Sequence, residues 1–575
     1  MKRFNGKALL AALLFFLSVP AVSHATCPDA TNNAGYVRAG ATGTGTGADW
    51  TNAYTDLPAT LVRGCTYYMA GGTYASRTFS TAASGTTLIT IQAATLASHG
   101  TSTGWSNSYA TDVSGSGSNQ AIFNGPIAFT TGYWNVTGNG TYTGIGCGST
   151  DPTGYGAGGA GCNLEIKGAQ GANDFSYCAA MENNLSACTT NISASYIEIL
   201  GYGYGSNCGS NTTEYGFYGD SNGGSTSNGG GSNFSLTNSY LYQICGAPVF
   251  SERANTITFD HNYVIGSASS SANHAEGWAD METSNVTISN NAWVGMEGSG
   301  FIVELDRGGC ANGSCPGANN WYIYGNLFWY DNGSHLSCQS GGCNTGIGDG
   351  VIAAINGLIT KNWYIYQNTF VNILGYQAGL CEDCTGEGNV NSTWTVENNF
   401  WWDNNSSGLD VSAAPGCSTC TMTEDYNTVL GYYSGNLGGF TGAHDIKVQT
   451  TPASPFTGWS SSPANFEYAA EGADWDGGVT LGSPYNVDPL GVSRGADGQW
   501  NRGVFQVPSG SGNPGPSILP VSLPQGTVVT PFTYTLQASG GTAPYTWSVS
   551  PLVPGLTLTA AGVYSGTPTT AGRHL

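Results

Sequence analysis

Positive charge is scarce in this 575-residue chain: 14 Lys and Arg stand against 36 Asp and Glu, for a formal net charge of −22. Such an acidic surface repels phosphate backbones and anionic lipid heads, which argues against nucleic acid or a membrane surface as partner. Polyuronates are repelled in the same way unless a bound cation such as calcium mediates the contact. Charge of either sign is thin, at 9% of residues, and 87 glycines disfavour long helices. Disorder is argued against in turn, because aromatics make up 12% of the chain, with 32 Tyr and 15 Trp. Beyond the N-terminus no apolar run reaches the roughly 18 residues of a membrane-inserted helix.

What is present begins with an export signal. Lys2, Arg3 and Lys7 precede an apolar run from Ala8 to Val19, and Ser23-His24-Ala25 supplies a small-x-small cleavage site. Residues 1–25 are therefore expected to be removed, leaving an exported, secreted or surface-held chain. Ser, Thr, Asn and Gly crowd its length, a composition suited to short strands joined by many turns.

The 16 cysteines fall into close pairs: Cys147 with Cys162, Cys178 with Cys188, Cys310 with Cys315, Cys338 with Cys343, Cys381 with Cys384 and Cys417 with Cys420. Cys27 with Cys65 and Cys208 with Cys245 remain as longer-range partners. Behind a signal peptide an even count reads as disulfides. The rival reading is a four-thiolate zinc site from Cys381, Cys384, Cys417 and Cys420.

Between about Ser195 and Tyr426 a pattern recurs in which a β-branched or aromatic strand ends in Asn, with an aromatic one or two places later. It reads Ile257-Thr-Phe-Asp-His-Asn262-Tyr263, Val286-Thr-Ile-Ser-Asn-Asn291-Ala-Trp293 and Trp321-Tyr-Ile-Tyr-Gly-Asn326-Leu-Phe328. Trp363-Tyr-Ile-Tyr-Gln-Asn368-Thr-Phe370 and Trp394-Thr-Val-Glu-Asn-Asn399-Phe400 continue it. Such spacing suits one turn of a parallel β-helix with loops of unequal length. Equivalent residues would then stack about 4.8 Å apart, with turn asparagines in left-handed backbone bonding one another and aromatics stacking. A second column is expected on Gly277, Gly300 and Gly350, each opening a strand.

This coil resembles the right-handed β-helix repeats of the pectate-lyase-like superfamily. The stretch from Tyr36 through Arg63-Gly-Cys-Thr-Tyr-Tyr-Met-Ala-Gly-Gly-Thr-Tyr74 is similar to the entry turns of such exported proteins. Asp488-Pro-Leu-Gly-Val-Ser-Arg494 and Asp497-Gly-Gln-Trp500-Asn-Arg-Gly503 resemble their closing segment. The resemblance implies an all-β, right-handed parallel β-helix over residues 26–507. A Gly/Ser/Pro linker follows at 508–516. Residues 517–575, from Leu536-Gln-Ala-Ser-Gly-Gly-Thr-Ala-Pro-Tyr545-Thr-Trp547 to Ser565-Gly-Thr-Pro568, resemble an Ig-like (cadherin-like) β-sandwich module lacking a last strand.

Glycan contact is implied by the same resemblance. On the glycine register, His274 and Glu297 each lie three residues before their Gly on adjacent turns, and Glu276 and Asp349 one residue before theirs. That would put Glu276 and Asp349 roughly 9–10 Å apart, near the carboxylate separation of an inverting glycosidase. Glu276, Asp349, His274 and Glu297 are therefore the expected catalytic group. Trp278, Glu304, Asp306 and Arg307 are expected to bind sugar hydroxyls, and Trp401 and Trp402 are further candidates for stacking on rings. Two functions follow: a polysaccharide-degrading enzyme (a hydrolase before a lyase, because basic residues are few), or a non-catalytic adhesin or matrix protein holding a cell-surface glycan. No cofactor is required by either, and calcium fits both.

Overall fold

The computed structural model describes residues 26–570 apart from 113–118, 142–143, 148–161, 180–189, 203–213, 221–230, 268–275, 297–299, 305–316, 330–349, 355–358, 374–378, 383–390, 404–408, 414–418, 432–436, 450–453, 457–465, 508–516, 519–527, 537, 540–545 and 550–551. The expected signal and linker therefore lie outside the described residues.

One turn shows how the coil is built. Asn255–Asp260 lies in a first sheet, Tyr263–Ser267 in a second and Trp278–Met281 in a third, and Ser284–Ser289 then starts the next turn of the first. Each strand pairs in parallel with its equivalents above and below. The first sheet has twelve strands among the described residues, from Ala34–Val37 to Thr421–Asp425. The second runs from Leu164–Lys167 to Ile446–Val448, and the third from Phe175–Ala179 to Leu437–Gly438. The long strand Ala121–Phe129 pairs with the first strand of both. The chain is an all-β parallel β-helix.

Interior side chains stack from turn to turn as the repeat predicts. Trp321, Trp363 and Trp394 form one column, with ring centroids 4.6 and 4.8 Å apart and planes within 12°. Phe328, Phe370 and Trp401 form another at 5.1 and 4.6 Å. Each such buried side chain is worth roughly 1.5–3 kcal/mol against exposure. Trp401 and Trp402 are thus core residues, 0% and 4% exposed, because their strand is covered on both faces; the sugar-stacking expectation is corrected.

The asparagines form a continuous buried ladder. Asn262, Asn291, Asn326, Asn368 and Asn399 each donate from Nδ2 to the next Oδ1 over 2.9–3.2 Å, and Asn427 extends the row. Asp445 closes it by accepting the Asn427 amide at 2.9 Å. The left-handed residue is not the ladder Asn but the one before it: His261, Asn290, Gly325, Gln367, Asn398 and Tyr426 have φ of 54–65°. Turning there lets the buried amide point along the coil. A second, exposed ladder went unread in the sequence, with Asn285 on Asn255, Asn320 on Asn285 and Asn362 on Asn320 at 2.7–2.8 Å.

Phe456 and the described residues of 466–507 cover the outer face of the second sheet. Phe456, Phe466, Tyr468, Val504 and Phe505 pack on Leu327, Trp329, Val371 and Leu430. Arg502 reaches in to the carbonyls of Asn427 and His444 at 2.9 Å. Residues 517–575 contribute short antiparallel strands, Ser517–Ile518 with Ala538–Ser539, and Phe532–Thr535 and Leu556–Leu558 with Val563–Gly566.

Cys27–Cys65 and Cys147–Cys162 are disulfides as expected. Cys245 and Cys420 are also disulfide-bonded, so Cys420 is no zinc thiolate and the metal alternative for that quartet is set aside. The remaining expected disulfide cysteines have side chains outside the described residues, so the structure leaves their pairing as an expectation. They are Cys178 and Cys188, Cys208, Cys310 and Cys315, Cys338 and Cys343, Cys381 and Cys384, and Cys417. Among the described residues no helix is long and apolar enough to cross a membrane.

Candidate functional site

The expected cluster on the third sheet is only partly described. Asp306, Arg307, His274, Glu297 and Asp349 lie outside the described residues, as does the side chain of Glu304. Glu276 is 2% exposed. The register differs from the glycine column by one residue: Trp278 pairs with Ile302, and Ile302 with Ile352, so Gly277 stands opposite Phe301 while Gly300 stands opposite Gly350. Trp278 points into the coil, packs against Phe259 and Trp321, and donates from its indole to Ser251 at 2.8 Å. Its expected contact with substrate is therefore corrected: strand alternation puts it in the core. Asp280 faces the same way and accepts from Thr283 N at 2.9 Å, capping the turn into the first sheet. Arg253 pairs with Glu282 one turn on, at 2.8 Å.

Exposure selects a different face. Described strands in the middle of the second and third sheets are buried on both sides, for example Leu327–Trp329 and Ile352–Ala354. The first sheet alternates instead, as in Thr393–Glu397 and Asn255–Asp260, with one side in the core and the other meeting solvent. Its outer row passes through Asp260, Ser289, Tyr324, Tyr366, Glu397 and Asp425 by strand register.

Five tyrosines gather on this face. Tyr322 and Tyr364 stack at 5.2 Å and are half-buried. Tyr485, brought by the closing segment, meets Tyr324 and Tyr366 edge-on at 4.9 and 5.1 Å. The hydroxyls of Tyr366 and Tyr485 are pushed up by burial, then by Glu397 for the first and by neighbouring tyrosines for the second. An aromatic surface with polar rims of this kind suits the apolar face of a sugar ring.

Glu397 pairs with Tyr366 in the row, and Asp425 follows Glu397 one turn further on. Burial, and secondly the charge of Asp425, push the Glu397 carboxyl above the ordinary glutamate range. Burial acts on Asp425 too, but hydrogen bonds from the His444 ring and backbone and from the Tyr426 amide outweigh it, holding Asp425 below its usual range. The His444 Nδ1 to Asp425 Oδ2 distance is 2.8 Å, and the imidazole stacks on Tyr426 at 4.2 Å. Two neighbouring carboxyls whose surroundings drive them apart are a usable acid and base pair. At the other end, Asp260 is also raised by burial yet held low overall by His261, Ser289 and Asn290.

Other acids are paired in the interior, where their role is structural. Asp174 is pushed well up by burial and by Glu214, which itself accepts from the backbone of Tyr202 and Cys245 at 2.7 and 3.0 Å. Glu198 is pushed to about 7, mainly by burial, and binds Gln120 at 2.8 Å. Glu471 and Asp476 share the Asn501 amide at 2.7 and 2.8 Å. Among the described residues no three His, Cys, Asp or Glu side chains are grouped as a metal ion requires.

No family model matches the chain, and no curated protein does. Among solved structures it is similar to a PL6 family alginate lyase, AlyGC, at 11% identity and a TM-score of 0.35, over 68% of this chain and about half, 49%, of that one. A DFA-IIIase from Arthrobacter chlorophenolicus A6 in complex with DFA-III is 13% identical at a TM-score of 0.28, covering 70% of this chain and 91% of that. The tailspike protein gp49 from Acinetobacter baumannii bacteriophage Fri1, a capsular polysaccharide depolymerase, is 11% identical at 0.24, covering 78% and 76%.

Proposed function

We propose that this is an exported carbohydrate-directed protein that hydrolyses a polysaccharide laid along the outer face of the first sheet. The observation that carries the reading is the juxtaposition of a tyrosine platform with Glu397 and Asp425 on a sheet face that, among the described residues, alternates between core and solvent. Tyr322 and Tyr364 hold sugar rings by stacking. Glu397, retaining its proton above the usual glutamate range, protonates the glycosidic oxygen as the bond to the anomeric carbon breaks. Asp425, kept ionised by His444, bonds to that carbon as the leaving group departs, and a water deprotonated by Glu397 then hydrolyses the glycosyl ester, freeing Asp425 and restoring the proton on Glu397.

Neighbouring strand positions lie about 4.8 Å apart. That is closer to the ~5–5.5 Å carboxyl separation of retaining enzymes than to the ~6.5–9.5 Å of inverting ones. Hydrolysis is favoured over β-elimination because no arginine or lysine among the described residues lines this row to take a proton beside a uronate carboxylate. The expected group of Glu276 with His274, Glu297 and Asp349 is the competing location for the acid.

The test is a polysaccharide panel read in two channels, reducing ends and ultraviolet absorbance of unsaturated uronates. Reducing ends without absorbance support the hydrolase, and absorbance would replace it with a lyase. Retention of glycan with neither signal would leave the adhesin, for which the same platform suffices.

A further inference from the structure

We infer that the polysaccharide accepted on this face is uncharged and that polyuronates are excluded from it. The inference rests on the reading just given and adds a rule of charge to it.

Asp260, Glu397 and Asp425 recur along a single outer row, at register positions on the same face as the stacked tyrosines. Two histidines and an arginine near them are already engaged. His261 Nδ1 is 2.7 Å from Asp260, and His444 Nδ1 is 2.8 Å from Asp425. The Arg502 guanidinium is buried against the carbonyls of Asn427 and His444 and the Thr428 hydroxyl. Lys361 is exposed at the entering edge of its strand, at the opposite end from the row of Asp260, Glu397 and Asp425. A polyuronate carries one carboxylate per sugar, so a chain lying along the row meets like charge at both ends of the platform.

The groups that remain for recognition are neutral. The rings of Tyr322 and Tyr364 are half-buried and so half-open. Along the entering edge runs the exposed ladder of Asn255, Asn285, Asn320 and Asn362. The Nδ2 of Asn285, Asn320 and Asn362 each carries two donors, and one bond along the ladder leaves the second available to a sugar hydroxyl. Stacking rings beside a row of amides match a chain of uncharged sugars and offer nothing to neutralise a carboxylate.

Affinity electrophoresis of the full chain tests this, with soluble uncharged glucans, xylans and mannans against alginate and polygalacturonate, with and without calcium. Runs at about 0.01 M and about 1 M salt set the Debye length near 30 and 3 Å. Retardation by at least one uncharged glycan at both salts is expected. It should fall on the order of ten-fold in Tyr364→Ala and in Tyr322→Ala, each checked for native circular dichroism. No retardation by either polyuronate is expected at low salt. Polyuronate binding as strong as the best uncharged glycan at low salt, with or without calcium, would overturn the charge rule. If that binding were also lost in Tyr364→Ala, the platform would stand and the rule alone would fall. Absence of binding to every glycan would overturn the underlying reading.

Discussion

Glu397 and Asp425 occupy paired positions on neighbouring strands of the first sheet, and their surroundings push the two carboxyls in opposite directions. On the proposed reading, turnover needs Glu397 protonated and Asp425 ionised. Activity is therefore lost on the alkaline side as Glu397 deprotonates, above the ordinary glutamate range, and on the acid side only below the ordinary aspartate range. The profile of kcat/KM against pH should be bell-shaped. His444→Ala removes the ring that holds Asp425 down, so its acid limb should move to higher pH with the alkaline limb unmoved. An acid limb indifferent to His444 would exclude Asp425 as the ionised partner.

The spacing of that pair also sets an expected stereochemistry. Proton NMR of the first sugar released should show the anomeric configuration of the substrate, as adjacent-strand carboxyls imply. Inversion would require a more distant partner, and would return attention to carboxylates two turns apart.

The buried asparagine ladder should be costly to interrupt. Asn368 donates to the Ile323 carbonyl at 2.9 Å and to Asn399 at 3.0 Å, and accepts from the amide and side chain of Asn326, both at 3.0 Å. Asn368→Ala leaves those buried partners unpaired, for a loss of about 3 kcal/mol or more by urea unfolding. Asn362→Gly, on the exposed ladder with its φ of 60° preserved, should cost less than about 1 kcal/mol. Equal costs would mean that the inner ladder holds no special share of the fold.

Stability should fall from acid to mildly alkaline pH through Glu198. Burial is the largest cause lifting its carboxyl from 4.5 to about 7, with the Gln120 bond opposing and Glu165 adding. A raised carboxyl contributes stability that is fully present below the unfolded value and is lost as pH rises through the folded one. The window is therefore pH 4.5 to about 7. Glu198→Gln should leave stability at pH 4 unchanged and raise it at pH 8 by up to roughly 3 kcal/mol, read from urea midpoints. An identical pH slope in the variant would contradict the assignment.

Much of the coil was legible in the sequence because a solenoid repeats its constraints: each Asn of the column binds the next, and Trp321, Trp363 and Trp394 stack where their motifs align. The candidate face was less legible. Asp260, Tyr324, Tyr366, Glu397 and Asp425 all stand two residues before a ladder Asn, so the column that fixes the fold also indexes the outer row. Glycine misled by one position, because Gly277 adjoins the Phe301 carbonyl rather than Gly300. A glycine marks close backbone approach, and approach does not fix register. Tyr485 could not have been placed at all, since it arrives from the closing segment more than a hundred residues after its partners Tyr324 and Tyr366.

The most direct test compares reducing ends released from the best uncharged polysaccharide by the unmodified chain, Glu397→Gln and Glu276→Gln, all verified as folded. Turnover should drop by about 10²–10⁴-fold in Glu397→Gln and persist in Glu276→Gln. Full activity in Glu397→Gln with loss in Glu276→Gln would contradict the account and move the chemistry to the third sheet.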